Sequence, residues 1–288
     1  MKNPRISYVN GRYVRHARAF VHIDDRGYQF ADGVYEVIAL KNGHMLDENM
    51  HFERLIRSLS VLSISLPMSI TSIHIIISEL KRLNDIKEGH VYIQITRGVA
   101  KRDHVFPKIE ATPSLVITLN PKKNIDQSIY EDGISVVTTK DIRWKRCDVK
   151  STSLLANVLS KQGAYEKGAS EAWMVDEDGY VTEGSSSNCY IVNTTGTLIT
   201  HPEGKEILGG VTRKVILSLA TEHGISVGEK PFSVDDVFEA KEAFASSTTM
   251  GVIPVTTVDG RKIAGGKLGK VTRELFMLYK RRAESITK

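Results

Sequence analysis

Lys150 is the group in this chain best set for covalent chemistry. It follows Arg143, Lys145 and Arg146 and precedes a run in which Leu154, Leu155, Val158 and Leu159 recur at helical spacing. The pattern predicts an amine where an extended segment ends and a buried helix begins, a place where scaffolds tend to hold catalytic groups. Burial or neighbouring cations would strip its proton. A neutral amine attacks carbonyls and forms a Schiff base. Taken alone, such a lysine reads more simply as a solvated side chain with its stem laid along the surface.

Three further clusters could act with it. Glu183 opens the run Glu-Gly-Ser-Ser-Ser-Asn to Asn188, one charge followed by small hydrogen-bonding groups, which also fits a plain polar loop. Arg102 and His104 are spaced by two in an extended loop, so both side chains fall on one side. Gly209 and Gly210 precede an expected helix carrying Val215, Ile216 and Leu219 on its core face. Unpaired N–H groups and the dipole at that start would favour an anion, and a tight turn into the helix would use the same glycines.

The elements that position these groups follow from pattern. Asn10-Gly11 between short apolar runs signals a hairpin. Residues 22–33 read as a Gly-rich loop leading to a strand over 34–40. Helices are expected over 50–62, with Leu55, Ile56, Leu59 and Leu62 on one face, and after Pro67, where Ile70, Ile73, Ile77, Leu80 and Leu83 outline a core stripe. Residues 91–97 alternate as a half-buried strand. Further strands are expected at 114–119, 134–139, 171–175, 189–192, 198–200 and 242–246, with a hairpin about Asp259-Gly260. Ser233 to Asp236 fits a capping-box variant. The stretch 265–270 fails the P-loop spacing.

The joint pattern of Lys150, Glu183 and the 24–36 run Asp-Asp-Arg-Gly-Tyr-Gln-Phe-Ala-Asp-Gly-Val-Tyr-Glu resembles the class IV aminotransferases, pyridoxal-phosphate enzymes of fold type IV, and within them the D-amino-acid branch. The resemblance runs from Tyr8 to about Leu278. It implies an α+β architecture: a small α/β sandwich domain over 1–119, a linker at 120–126, and a larger α/β pseudo-barrel domain over 127–288 that binds pyridoxal 5'-phosphate. By the same resemblance Lys150 is the Schiff-base lysine and Glu183 contacts the pyridine nitrogen. Arg54, Ser187, Asn188, the N–H groups of Val211 and Thr212, and Ser247 and Thr248 complete the cofactor site. Tyr35, Arg102, His104 and Thr249 serve the substrate, with Arg102 and His104 reaching the neighbouring subunit of a homodimer. The implied reaction moves the amino group of D-alanine-type donors to 2-oxo acids such as 2-oxoglutarate and pyruvate. Ala39 departs from the larger residue expected there, which opens the side-chain preference. A branched-chain L-amino-acid aminotransferase or an aminodeoxychorismate lyase shares Lys150 and Glu183, but the Arg102/His104 pair argues against both. A non-catalytic anion-binding module is the reading from another class.

Composition bounds the rest. The 288 residues, 41% hydrophobic and 25% charged, suit about two globular domains. The net charge of +5 is scattered, with no aromatic-interleaved basic patch, so nucleic acid is not the expected partner. Cys147 and Cys189 lack the spacing of a disulfide framework or zinc site. No apolar run approaches the roughly 18 residues of a spanning helix. With no signal-peptide pattern at the start, the cytoplasm is the expected location.

Overall fold

The structure, a computed structural model, describes residues 4–108, 111–122 and 127–286. It comprises two compact units. The first takes the residues up to 122 with the short excursion 149–153, and the second takes 127–148 and 154–285. The expected linker at 120–126 lies partly outside the described residues. Residues 149–153, read from sequence as part of the second domain, belong with the first.

The first unit contains β1 (Ile6–Val9), β2 (Arg12–Arg15), α1 (Arg26–Phe30), β3 (Gly33–Lys41), β4 (His44–Met45), α2 (Glu48–Val61), α3 (Ile70–Asn84), β5 (Gly89–Thr96) and β6 (Ser114–Pro121). Its strands form one antiparallel sheet in the order β2-β1-β6-β5-β3-β4. Alternation along β3 sends Val34, Glu36, Ile38 and Leu40 into the interior, while Tyr35 and Val37 stand on the other face. The interior face packs on Phe52, Leu55 and Leu59 of α2 and Ile73, Ile76, Ile77 and Leu80 of α3. The stretch read as a loop holds the single helical turn α1. Asp25 caps it by accepting from the Gly27 N–H (2.8 Å), and Ala31 closes it in the left-handed conformation, φ 54°.

The second unit adds β7 (Ile134–Lys140), α4 (Leu155–Glu166), β8 (Glu171–Val175), β9 (Val181–Gly184), β10 (Asn188–Val192), β11 (Leu198–Thr200), α5 (Val211–Glu222), β12 (Val227–Glu229), α6 (Val234–Glu239), β13 (Glu242–Ser247), β14 (Gly251–Val258), β15 (Arg261–Lys262) and α7 (Lys270–Ser285). Its mixed sheet runs β12-β11-β10-β13-β14-β7-β8-β9, with β15 on β14. Parallel pairs occur at β11–β12, β14–β7 and β7–β8. The capping box at Ser233/Asp236 forms as expected. Among the described residues no helix is long and apolar enough to cross a membrane.

One expectation is reversed. The helix after Lys150 was to bury its large apolar residues, yet Leu155 is 72% exposed, Val158 58% and Leu159 55%. α4 instead turns Ser160 and Ala164 inward. Small residues let the helix sit close on β7 and β8, and its bulky apolar side chains are left facing outward.

Ile93 is fully buried on β5, between β3 and β6. Ile93→Ala should cost about 2–5 kcal/mol, read as a lower urea midpoint at unchanged slope.

Candidate active site

Lys150 is pinned by its backbone. Its carbonyl accepts the Tyr35 N–H (3.0 Å), its own N–H donates to Ser58 Oγ (3.3 Å), and Ser151 bridges to Val34. Val149 on one side is buried in the first unit's core. The side chain lies over Tyr35, with Nζ 4.2 Å from the ring centroid. Among the first unit's described residues no carboxylate pairs with this amine. Tyr35 stacks in turn on Tyr92, 5.6 Å between centroids, and the Tyr92 hydroxyl donates to Gln94 Oε1 (2.6 Å). Burial, with Tyr35 beside it, pushes the Tyr92 phenol up to about 12.

On the opposite face of β3, Glu36 meets α2. Arg54 donates to it through Nε (2.7 Å) and Nη2 (2.9 Å), and His51 Nδ1 lies 2.8 Å from Oε2. Glu36 is 1% exposed and His51 2%. Burial alone would raise the Glu36 pKa, but the Arg54 charge and the hydrogen bonds from His51 and Arg54 hold it at about 2. Burial lowers the His51 pKa, and the Arg54 and Lys150 charges add to this against the pull of Glu36.

Arg102 and His104 are exposed and converge on one ring. The Arg102 guanidinium carbon is 4.6 Å from the Phe30 centroid and the His104 ring 5.4 Å. Asp32, just beyond α1, takes Arg26 (2.8 Å) and both Nε and Nη2 of Arg97 (2.7 and 3.0 Å). Burial works to raise its pKa, and these donors overcome it and lower it.

In the second unit Glu183 lies buried on β9. It accepts from Arg143 Nη1, Asn188 Nδ2 (3.2 Å) and the Leu208 N–H (3.1 Å). Arg143 is itself clamped by Asp141 (2.6 Å) and the Glu206 carbonyl (3.0 Å). Although burial opposes it, Asp141 and Glu183 raise the Arg143 pKa. Arg146 pairs with Asp148. The cations expected to act on Lys150 are thus neutralised by nearby carboxylates, apart from Lys145. The hydroxyls of Ser185, Ser186 and Ser187 all donate to the buried Glu171, which Lys161 approaches at 3.3 Å. Asn188 is the member of that run that reaches Glu183.

Helix α5 starts at Gly210 with no side-chain cap, and its first intrahelical bond runs from the Lys214 N–H to the Gly210 carbonyl (3.0 Å). The N–H groups of Val211 and Thr212, both buried, therefore lack an intrahelical acceptor. Ser247 ends β13, with Thr248 and Thr249 in the turn to β14.

The structure places Tyr35, Arg54, Arg102, His104 and Lys150 in the first unit. Glu183, Ser187, Asn188, Val211, Thr212, Ser247, Thr248 and Thr249 are in the second. Phe30, the Glu36/His51 pair and the Asp141/Arg143 clamp were missed from sequence. A carboxylate at the inward phase of β3, between Val34 and Ile38, was the readable signal for Glu36, since a buried carboxylate needs a cation.

Residues 33–258 match the family model described as amino-transferase class IV. A D-alanine aminotransferase of Staphylococcus haemolyticus is 39% identical over 278 residues, 96% of this chain and 98% of that protein. Another from Listeria innocua is 40% identical over 272 residues, covering 94% and 93%. Among solved structures, the branched-chain amino acid aminotransferase of Escherichia coli superposes with a TM-score of 0.87 at 25% identity, over 96% of this chain and 95% of that one. The chain belongs to the class IV aminotransferases.

Glu36→Gln should leave Arg54 as an uncompensated buried charge and cost about 3–5 kcal/mol at neutral pH. The Glu36 pKa is depressed from 4.5 to about 2, so its contribution is present above pH 4.5 and lost as pH falls towards 2. Urea midpoints measured across that window should fall more for the wild type than for Glu36→Gln.

Proposed function

We propose that this chain is a D-amino-acid aminotransferase that uses pyridoxal phosphate, moving the amino group of D-alanine-type donors to 2-oxoglutarate or pyruvate. The observation that carries the reading is Lys150: its backbone is locked on β3 and its amine lies over Tyr35, with no carboxylate paired to it among the first unit's described residues.

The residues fit the cofactor's three chemical features. A pinned amine suits its aldehyde, a buried carboxylate paired with Arg143 suits a ring nitrogen that must stay protonated, and uncapped N–H groups at α5 suit a phosphate. When bound, pyridoxal phosphate supplies an electrophilic carbon for amines and a ring that accepts the electron pair left at the substrate Cα.

The chain's residues do the rest. Lys150 would hold the cofactor through its amine and, once free of it, would take the proton from the substrate Cα and later give it back. One group thus serves as base and then acid. A lysine with the reference pKa of about 10.4 is a poor base near neutrality, so the reading requires Lys150 to be neutral when it acts. Glu183 accepts a hydrogen bond from the ring nitrogen, with Arg143, Asn188 and the Leu208 N–H fixing the carboxylate's direction. Arg54 and the Val211 and Thr212 N–H groups take the phosphate. In this assignment Glu36 orients Arg54, and Ser187, Ser247 and Thr248 border the cofactor.

Tyr35, Arg102, His104 and Thr249 receive the substrate carboxylate. The Arg102/His104 pair and the relatives named D-alanine aminotransferase at 39–40% identity favour the D-isomer over the branched-chain L-amino-acid alternative, whose named structural neighbour is 25% identical. We further propose a homodimer in the cytoplasm. The outward Leu155, Val158 and Leu159 of α4 offer an apolar face for a second copy, and both cysteines are free thiols.

Purified protein should show a cofactor absorbance band that borohydride abolishes, with the modification mapped to Lys150. Lys150→Ala should lose that covalent link and at least about 10²–10⁴-fold of turnover. With 2-oxoglutarate as acceptor, D-alanine should be consumed and L-leucine not. Activity confined to the L-isomer would overturn the stereochemical assignment.

A further inference from the structure

We propose that Phe30 is a positioning residue for Arg102 and His104, presenting both to the substrate carboxylate from a single aromatic ring. The inference rests on the reading of those two residues as the carboxylate-binding pair.

Neither side chain makes a hydrogen bond or ion pair with any described residue, so polar contacts within the chain do not set their directions. Both meet Phe30 instead, Arg102 at 4.6 Å from the ring centroid and His104 at 5.4 Å with an interplanar angle of 52°. The ring is well placed to do this because the turn carrying it is fixed at both ends. Asp25 caps α1, the Ala31 N–H closes it on the Gly27 carbonyl (3.1 Å), and Arg26 stacks on the same ring at 4.8 Å. Arg26 also ties the loop's backbone down. Its Nη1 donates to the carbonyl of Asp103 (2.6 Å), the residue between the pair, while its Nε is held by Asp32 (2.8 Å). One helical turn thus holds the middle of the Arg-x-His unit by its backbone and meets both flanking side chains with one aromatic ring.

An unrestrained arginine has large rotamer freedom to lose on binding. A ring that already confines it lowers that cost, which is preorganisation. The cation stays solvated at its outer edge, so its charge remains available to a carboxylate. Phe30 itself is half-buried, with room to be replaced.

The test uses the holoenzyme with D-alanine as the varied donor. Phe30→Leu keeps the apolar bulk and removes the π-face. It should raise the KM for D-alanine roughly fivefold, the size of one exposed cation–π contact, with kcat and the cofactor absorbance band unchanged. Phe30→Tyr should restore the wild-type KM. In an Arg102→Gln background, which raises KM by itself, Phe30→Leu should add much less, because the two act as a unit. Phe30→Met serves as a second apolar replacement if Phe30→Leu does not fold. A raised KM in Arg102→Gln with no change in Phe30→Leu or Phe30→Met overturns the role of Phe30 and leaves the carboxylate reading standing. An unchanged KM in Arg102→Gln overturns that reading itself. A fall in kcat and thermal midpoint in Phe30→Leu that Phe30→Tyr does not repair marks Phe30 as structural and overturns the proposal.

Discussion

The short antiparallel contact between residues 149–153 and the start of β3 is the constraint on which the chemistry depends. A lysine side chain has four rotatable bonds, so an amine can be placed only if its backbone is placed first. The bonds from Tyr35 N–H to the Lys150 carbonyl and from Lys150 N–H to Ser58, with the Ser151–Val34 bridge, do that from three sides. The Tyr35 ring then limits the side chain, with Nζ 4.2 Å from its centroid. A carboxylate in the same place would have fixed the amine as a permanent ammonium.

That distinction extends across the buried charges. Glu36 is matched by Arg54, Asp32 by Arg26 and Arg97, and Glu183 by Arg143. Glu36 and Asp32 are held below the ordinary carboxylate range despite a desolvation cost of several kcal/mol per ion, because at least two donors reach each. On the proposed reading, Glu183, with Arg143 against it, is the carboxylate that would face the cofactor's ring nitrogen. Glu171 shows the other use of such a pocket. Three serine hydroxyls and Lys161 satisfy it, which makes the Ser185–Ser187 turn rigid and frees Asn188 to reach Glu183.

Much of the first unit was legible from periodicity, because its long strands have one clear inward phase. β3, β5 and the two helices over the first sheet lie close to where the apolar spacing put them. Three things escaped. α1 is too short for periodicity and is set by the Asp25 cap and the left-handed Ala31. The outward face of α4 could not be told from a core face, since apolar spacing identifies a stripe without saying what covers it. The serines after Glu183 carried a type signal with no direction, and a strand-edge register decided which carboxylate they serve. For the site, Lys150 and Glu183 stood out as residue types in a pattern. Their supports did not, because Tyr35 to Lys150 and Arg143 to Glu183 are pairings across long sequence separations.

Stereochemistry is the property least tied to Lys150. A single base on one side of the reacting carbon can take the proton of either enantiomer, depending on where the carboxylate is anchored. Selection therefore belongs to the carboxylate-binding groups, which on the proposed reading include the Arg-x-His unit. Among the described residues its side chains make no hydrogen bonds or ion pairs, and both meet an aromatic ring on a capped turn. Loop residues vary at little cost to stability. A specificity device on a loop, steadied by one ring and one arginine, can change handedness while the lysine, its carboxylate partner and the sheets that hold them stay as they are.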